Sequence, residues 1–125
     1  MNDTVRISPP NSLLLIGDPR TKDLPESLGD GLLAATDSCV AVGTLVEVDG
    51  PTTITLTDRE GADPAALPSL TVFSGRLTLP SGILAVCDVN GEMLLRRDSP
   101  DHAEHVTILV NDPAEPDEIA VVAGT

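Results

Sequence analysis

Aromatic side chains are almost absent from this sequence, which contains one phenylalanine, Phe73, and neither tryptophan nor tyrosine. Stacking on nucleobases or sugar rings and the caging of organic cations all require aromatic faces. We therefore do not expect the protein to recognise bases or carbohydrates by stacking. The hydrophobic 41% of the chain is mostly Val, Leu, Ile and Ala, so the core is expected to be aliphatic, with Phe73 inside it.

Basic residues are also scarce: 7 Lys and Arg stand against 20 Asp and Glu, which gives a formal net charge of -13. A surface of this sign repels phosphate backbones, so direct binding to DNA or RNA is disfavoured. The same field attracts basic proteins and also keeps a small protein soluble.

Cysteines and long apolar runs are few. Cys39 and Cys87 form no C-x-x-C motif, which argues against zinc or thioredoxin-like chemistry. No run approaches the ~18 apolar residues of a membrane span, and the opening MNDTVRISPP lacks the pattern of a signal peptide. We expect a cytoplasmic protein without a membrane partner, in which both cysteines are reduced thiols in the core.

Alternating apolar and polar residues recur in short runs that are separated by Gly, Pro, Asp or Asn, a pattern typical of an all-β protein. The segment 25–35, PESLGDGLLAA, has helical spacing instead. We predict that residues 1–125 form a single domain, a two-layer antiparallel β-sandwich with one short helix, and a partly open barrel is the alternative. Strands are predicted at 4–8, 12–17, 38–48, 52–58, 70–79, 83–88, 92–96, 105–111 and 118–123.

Three tight turns are marked in the sequence, and we predict a β-hairpin at each. Asp49-Gly50 and Asn90-Gly91 are dipeptides that accept positive φ at low cost. In Pro80-Ser81-Gly82 the proline presets φ and the glycine supplies a left-handed residue.

The segment 98–105, DSPDHAEH, contains both histidines of the chain. His102, His105 and Asp101 are candidate ligands of a divalent metal ion, and the competing interpretation is an acidic loop that leads into a strand. The PSG turn is not a G-x-S-x-G nucleophile elbow, and no histidine lies near Ser81 or Cys87 in the sequence. We expect no catalytic residues, no cofactor and no enzymatic activity.

The order of several segments is informative as a whole: LLLIGDP, ESLGDGLLAATD, CVAVGTLVEVDGPTTITLTD, FSGRLTLPSGILAVCDVNG and VTILVNDPAEPDEIAVV. With its G-R-L-x-x-P-S-G corner and a PDE segment before the last strand, this order resembles small bacterial proteins similar to competence protein J. The resemblance spans most of the chain. It implies an acidic β-sandwich and an inhibitor of a nuclease, without catalytic residues to carry over.

The leading hypothesis is a non-catalytic acidic interaction protein, an inhibitor of or immunity partner to a basic nuclease or toxin. The alternative is a metal- or small-molecule-binding β-sandwich, and self-assembly into a homodimer is compatible with either. The candidate partner-binding residues are carboxylates at strand ends and in loops: Asp98, Asp101, Glu104, Glu115, Asp117 and Glu118.

Overall fold

The computed structural model describes residues 2–22, 24–25 and 31–124 as ten strands in two sheets. The alternating runs of Val, Ile, Leu and Thr form these strands because each run presents one apolar face to bury and one polar face to water. Their bounds are β1 Asn2–Ile7, β2 Leu13–Gly17, β3 Leu33–Ala35, β4 Cys39–Gly43, β5 Thr52–Asp58, β6 Leu70–Thr78, β7 Ile83–Cys87, β8 Met93–Asp98, β9 Ala103–Val110 and β10 Glu118–Ala123.

The strands are ordered β1-β5-β10-β9-β6 in sheet 1 and β3-β4-β2-β7-β8 in sheet 2. Every pair is antiparallel except β5 and β10, which run parallel, with Ile119 opposite Ile54. The predicted all-β sandwich is confirmed.

The core lies between the sheets and is aliphatic, as the composition predicts. Ile54 and Leu56 of sheet 1 meet Leu14 and Ile16 of sheet 2, and all four side chains are fully buried. Phe73 is half-buried and packs against this core. Burying side chains of this size contributes roughly 1.5–3 kcal/mol each.

The predicted helix at 25–35 is wrong for the part of this segment that the structure describes. Residues 26–30 lie outside the described residues, but Leu33–Ala35 is strand β3, paired with β4. The open edge of β4 offers main-chain partners to this segment, and that tertiary pairing overrides a weak helical pattern. No helix of the described residues is long and apolar enough to cross a membrane.

The Asn90-Gly91 hairpin is confirmed, since it joins the paired strands β7 and β8. The other two predicted hairpins are wrong. Asp49-Gly50 connects β4 to β5, and Pro80-Ser81-Gly82 connects β6 to β7, so each turn carries the chain from one sheet to the other. The predicted strand 38–48 is correspondingly too long, because β4 ends at Gly43 and Glu47–Asp49 is a turn of 3-10 helix. A tight turn can join two paired strands of one sheet or carry the chain to the other sheet, and the sequence alone does not distinguish these two connections.

Both cysteines are buried thiols, as predicted. They do not face the core, however. Cys39 lies opposite Gly17 and Cys87 opposite Leu15 in the register, on the outer face of sheet 2, whereas Leu14 and Ile16 point between the sheets.

Candidate interaction surface

The two crossings between the sheets at 79–82 and 99–102 are bonded to each other. Leu79 N donates to the His102 carbonyl at 2.8 Å, and Ser99 N donates to the Gly82 carbonyl at 2.7 Å. The His102 Nδ1 atom lies 3.1 Å from the Pro80 carbonyl oxygen, which only accepts, so Nδ1 carries the proton. The PSG turn and much of the DSPDHAEH segment therefore form one structural corner of the sandwich.

The candidate metal ligands have separate surroundings. His102 is bonded into the corner, whereas His105 lies on the outer face of sheet 1 with its Nε2 atom 3.0 Å from Ser74 Oγ. Asp101 is an exposed loop residue. Throughout the described part of the chain, no three His, Cys, Asp or Glu side chains are grouped so that they could hold a metal ion. The structure does not bring the three candidates together.

The pocket on the outer face of sheet 2 does not offer activated groups. It has a volume of about 160 Å³ and is lined by Cys39, Cys87 and Asp18, among others. Burial, and secondarily the charge of Asp88, raises the pKa of the Cys87 thiol to about 11, so this thiol is protonated at neutral pH. The buried Asp18 carboxylate accepts hydrogen bonds from Arg20 N at 2.8 Å and Ser81 N at 2.7 Å, which fixes the corner.

The six candidate partner-binding carboxylates lie at opposite ends of the sandwich. Asp98, Asp101 and Glu104 stand at the start of β9, whereas Glu115, Asp117 and Glu118 follow its end. Since β9 runs from Ala103 to Val110, the two groups are roughly 23 Å apart at the usual rise of a strand. They do not form one surface.

The first group is mixed with cations. Asp98 pairs with Arg96 at 3.7 Å, and both side chains are exposed. Glu104 is not a free surface carboxylate, because its Oε2 accepts a hydrogen bond from the buried Ser99 hydroxyl at 3.0 Å. Arg20 and Lys22 follow the last residue of β2, at this same end. We call this the corner end.

The opposite end is formed by three loops, 8–12, 44–51 and 111–117, and we call it the acidic end. The loops are joined by main-chain hydrogen bonds, from Thr44 N to the Ser12 carbonyl and from Leu45 N to the Pro116 carbonyl, both 2.9 Å long. These loops contain no Lys or Arg. The nearest basic residue along the chain is Arg6 on β1. Exposed carboxylates project here from Asp49, Asp112, Glu115 and Asp117, with Glu118 beside them at the start of β10.

The loop 111–117 is shaped by its own side chains. Asn111 Oδ1 accepts hydrogen bonds from Asp117 N at 3.2 Å and Glu118 N at 3.1 Å. Asp112 Oδ1 accepts from Glu115 N and Ala114 N, both at 2.9 Å. These two N–H groups hold the pKa of the Asp112 carboxyl below its usual range. The carboxylate is therefore charged at any physiological pH, and the loop has a defined shape.

Two exposed valines accompany these carboxylates. Val48 is 88% exposed and Val46 is 42% exposed, in the loop that bonds to Pro116. The sequence does not mark them as exposed, because the β-branched and apolar residues from Leu45 to Val48 are also typical of a strand and fall within the predicted strand 38–48. Apolar side chains surrounded by charged ones are typical of protein interaction surfaces.

Comparison with known proteins supports the fold. No protein-family model and no curated protein matches the chain. Among solved structures, the chain is similar to ComJ from Bacillus subtilis, an inhibitor of the DNA degrading activity of NucA, with a TM-score of 0.65 and 10% sequence identity. The similarity covers 98% of this chain and 95% of ComJ. The resemblance to competence protein J-like proteins that the sequence indicates is thus confirmed in the fold.

Proposed function

We propose that this chain is a non-catalytic protein that inhibits a basic nuclease by covering its DNA-binding surface with the acidic end. The observation that carries the proposal is the end-to-end similarity in fold to ComJ, an inhibitor of the DNA degrading activity of NucA. Because the similarity leaves no large part of either chain unmatched, it gives no reason to assign this chain an additional catalytic part.

The charge distribution supports the same role. A nuclease holds the phosphates of DNA with Lys and Arg side chains. The carboxylates of the acidic end offer these cations an alternative partner, and they have few cations of their own chain to neutralise them. Val46 and Val48 supply apolar area, which a contact made of charges alone would lack.

The experiment compares two triple variants that change the charge by the same amount. One neutralises carboxylates of the acidic end (Asp49→Asn, Glu115→Gln, Glu118→Gln). The other neutralises carboxylates of the corner end (Asp98→Asn, Asp101→Asn and Glu60→Gln), where Glu60 is an exposed residue just beyond the last residue of β5. Asp112 and Asp117 are left unchanged because they hold loop 111–117 in shape. The partner is recovered from native lysate on the immobilised chain at low salt, and its degradation of plasmid DNA is measured with and without the chain.

We expect the recovered partner to degrade DNA and the unmodified chain to stop it. The acidic-end variant should bind about tenfold more slowly at low salt, and the difference should shrink as salt is added. The corner-end variant should bind almost as the unmodified chain does. Recovery of partners without nuclease activity would refute the inhibitor role. Equal effects of the two variants would refute the assignment to the acidic end.

A further inference from the structure

Strand β6, Leu70–Thr78, forms an outer edge of sheet 1 and pairs only with β9 among the strands of the described residues. The other edges differ from it. Strands β1 and β8 lie against each other across the two sheets, and β3 is only three residues long. A long open edge is a template for pairing with another strand.

The hydrogen bonds show which main-chain groups of β6 point away from β9. Gly124 N donates to the His105 carbonyl at 2.8 Å, so the main-chain groups of His105 face β10. The neighbouring Val106 therefore faces β6, where it lies opposite Gly75. The main-chain groups of alternate residues in a strand point to opposite sides. Those of Gly75 therefore bond to β9, whereas those of Ser74 and Arg76 face the open side of β6.

An independent contact agrees with this assignment. Thr78 lies two residues after Arg76 in the strand, so its main-chain groups should point to the same side as those of Ser74 and Arg76. Its N–H does point away from β9 and donates to the Asp37 carbonyl at 2.8 Å. No main-chain partner is present for Ser74 N or Arg76 N within the described ranges.

We propose that β6 pairs with β6 of a second copy of this chain, antiparallel and about a two-fold axis at Gly75. In this register Ser74 lies opposite Arg76 of the second copy, and each pair exchanges two N–H···O bonds. On the core-facing side Phe73 lies opposite Leu77 of the second copy. The five residues FSGRL are therefore complementary to themselves.

The side chains suit this register. Two Gly75 residues meet at the centre, where the main chains approach to about 4.5 Å and opposing side chains would be crowded. Phe73 is half-buried, and a second strand beside it would cover more of its ring. Residues 72–77 include no carboxylate although the chain carries a net charge of -13, so pairing places no acidic groups opposite each other, and each Arg76 faces a serine.

The contact is small, which limits its strength. A stable interface uses roughly 20–30 residues on each side, far more than residues 72–77 supply. We therefore expect a weak dimer that forms at high protein concentration. Because both copies are strongly acidic, added salt should strengthen it, whereas the complex with a basic nuclease should weaken. The two associations are distinguishable by this opposite response.

The test combines sedimentation equilibrium with amide exchange measured by NMR, at low and high protein concentration and in about 0.05 to about 1 M salt. The matched variants are Ser74→Pro, which removes the outward N–H, and Ser74→Ala, which keeps it; both lose the hydroxyl that contacts His105. Proline is tolerated at an edge position whose N–H is not used in the sheet. Arg76 is exposed, so Arg76→Glu should leave the fold intact, and it tests the same pairing should Ser74→Pro fail to fold.

We expect the mass to rise from the 13.0 kDa of one chain towards twice that value, with the amides of Ser74 and Arg76 becoming protected as it does. Ser74→Pro should weaken the dimer by at least about tenfold, as expected when two hydrogen bonds are lost, and Arg76→Glu should weaken it as well, whereas Ser74→Ala should dimerise normally. A mass that stays at 13.0 kDa throughout would refute the proposal. A dimer that leaves these two amides unprotected, or that Ser74→Pro does not affect, would also refute it.

Discussion

Gly17, the last residue of β2, is the position where a single methyl group should damage the fold most clearly. A Cβ atom there would overlap the Ser38 carbonyl oxygen and lie 3.0 Å from Cys39 Cα. Both are main-chain atoms of the neighbouring segment, so no side-chain rotation relieves the clash. The φ angle of Gly17, +146°, is in addition one that residues with a Cβ rarely adopt.

The cost of Gly17→Ala follows from three effects. The backbone angle costs about 1–3 kcal/mol and the overpacking about 1–3 kcal/mol. Moving the segments apart also breaks the hydrogen bond from Asp18 N to the Ser38 carbonyl, 3.0 Å long, which costs about 1 kcal/mol. We expect a loss of about 5 kcal/mol, a large part of the roughly 5–15 kcal/mol that stabilises a domain.

Gly50→Ala is the matched control. Gly50 also has a positive φ, +127°, but a Cβ there meets nothing within 4 Å, so only the backbone cost remains. Because the chain contains no Trp or Tyr, unfolding is best followed by far-ultraviolet circular dichroism or calorimetry. We expect the Tm of Gly17→Ala to fall about 10 °C below that of Gly50→Ala. Equal Tm values for the two variants would refute the close approach of β2 to Ser38.

The remaining predictions concern four single residues. Because its pKa is raised from 9.0 to about 11, Cys87 in the native protein should react with iodoacetamide at about pH 8 roughly 100-fold more slowly than in the unfolded chain; equal rates by mass spectrometry would contradict this. The stability that Cys87 contributes as a neutral thiol should be complete below pH 9.0 and lost as the pH rises towards about 11. Asp112 should titrate below 3.8 in carboxyl NMR, and its contribution, present above that pH, should disappear as the pH falls through the lowered pKa; a midpoint at or above 3.8 would contradict the two hydrogen bonds. Within the described residues, the buried Nε and Nη1 atoms of Arg97 have no hydrogen-bond partner, so Arg97→Met should raise the free energy of unfolding by about 1 kcal/mol; a fall in Tm would show that the attraction between Arg97 and Asp58 outweighs the cost of the two unbonded atoms. Val48→Ser should leave the Tm within about 2 °C, because the side chain is exposed, yet weaken partner binding; unchanged binding would remove Val48 from the interaction surface.

The strands are largely predictable because alternation of apolar and polar residues is a local property. The predicted strands 52–58 and 118–123 coincide with β5 and β10. The pairing of these two strands is not predictable, because nothing in the sequence around Asp58 or Glu118 marks β10 as the parallel partner of β5. The position of β10 between β5 and β9 follows from the packing of the whole sheet.

The candidate site is only half predictable for the same reason. Residue type and loop position identify Glu115, Asp117 and Glu118 as exposed carboxylates, and the structure places them so. The same criteria group them with Asp98 and Asp101, because nothing local shows that β9 separates the two groups from end to end. Their division between the corner end and the acidic end follows from strand direction, which only the assembled sheet defines.

The central place of β10 in sheet 1 has a consequence for how the protein is made. All five strands of sheet 2 lie within residues 13–98, but sheet 1 consists of two unconnected pairs, β1 with β5 and β6 with β9, until residues 118–123 arrive between them. A ribosome must therefore release residues 118–123 before the apolar faces of Ile54 and Val106 share a sheet. Sheet 1 is therefore expected to wait for the synthesis of residues 118–123, and a nascent chain stalled before residue 118 should remain open to proteases and chaperones.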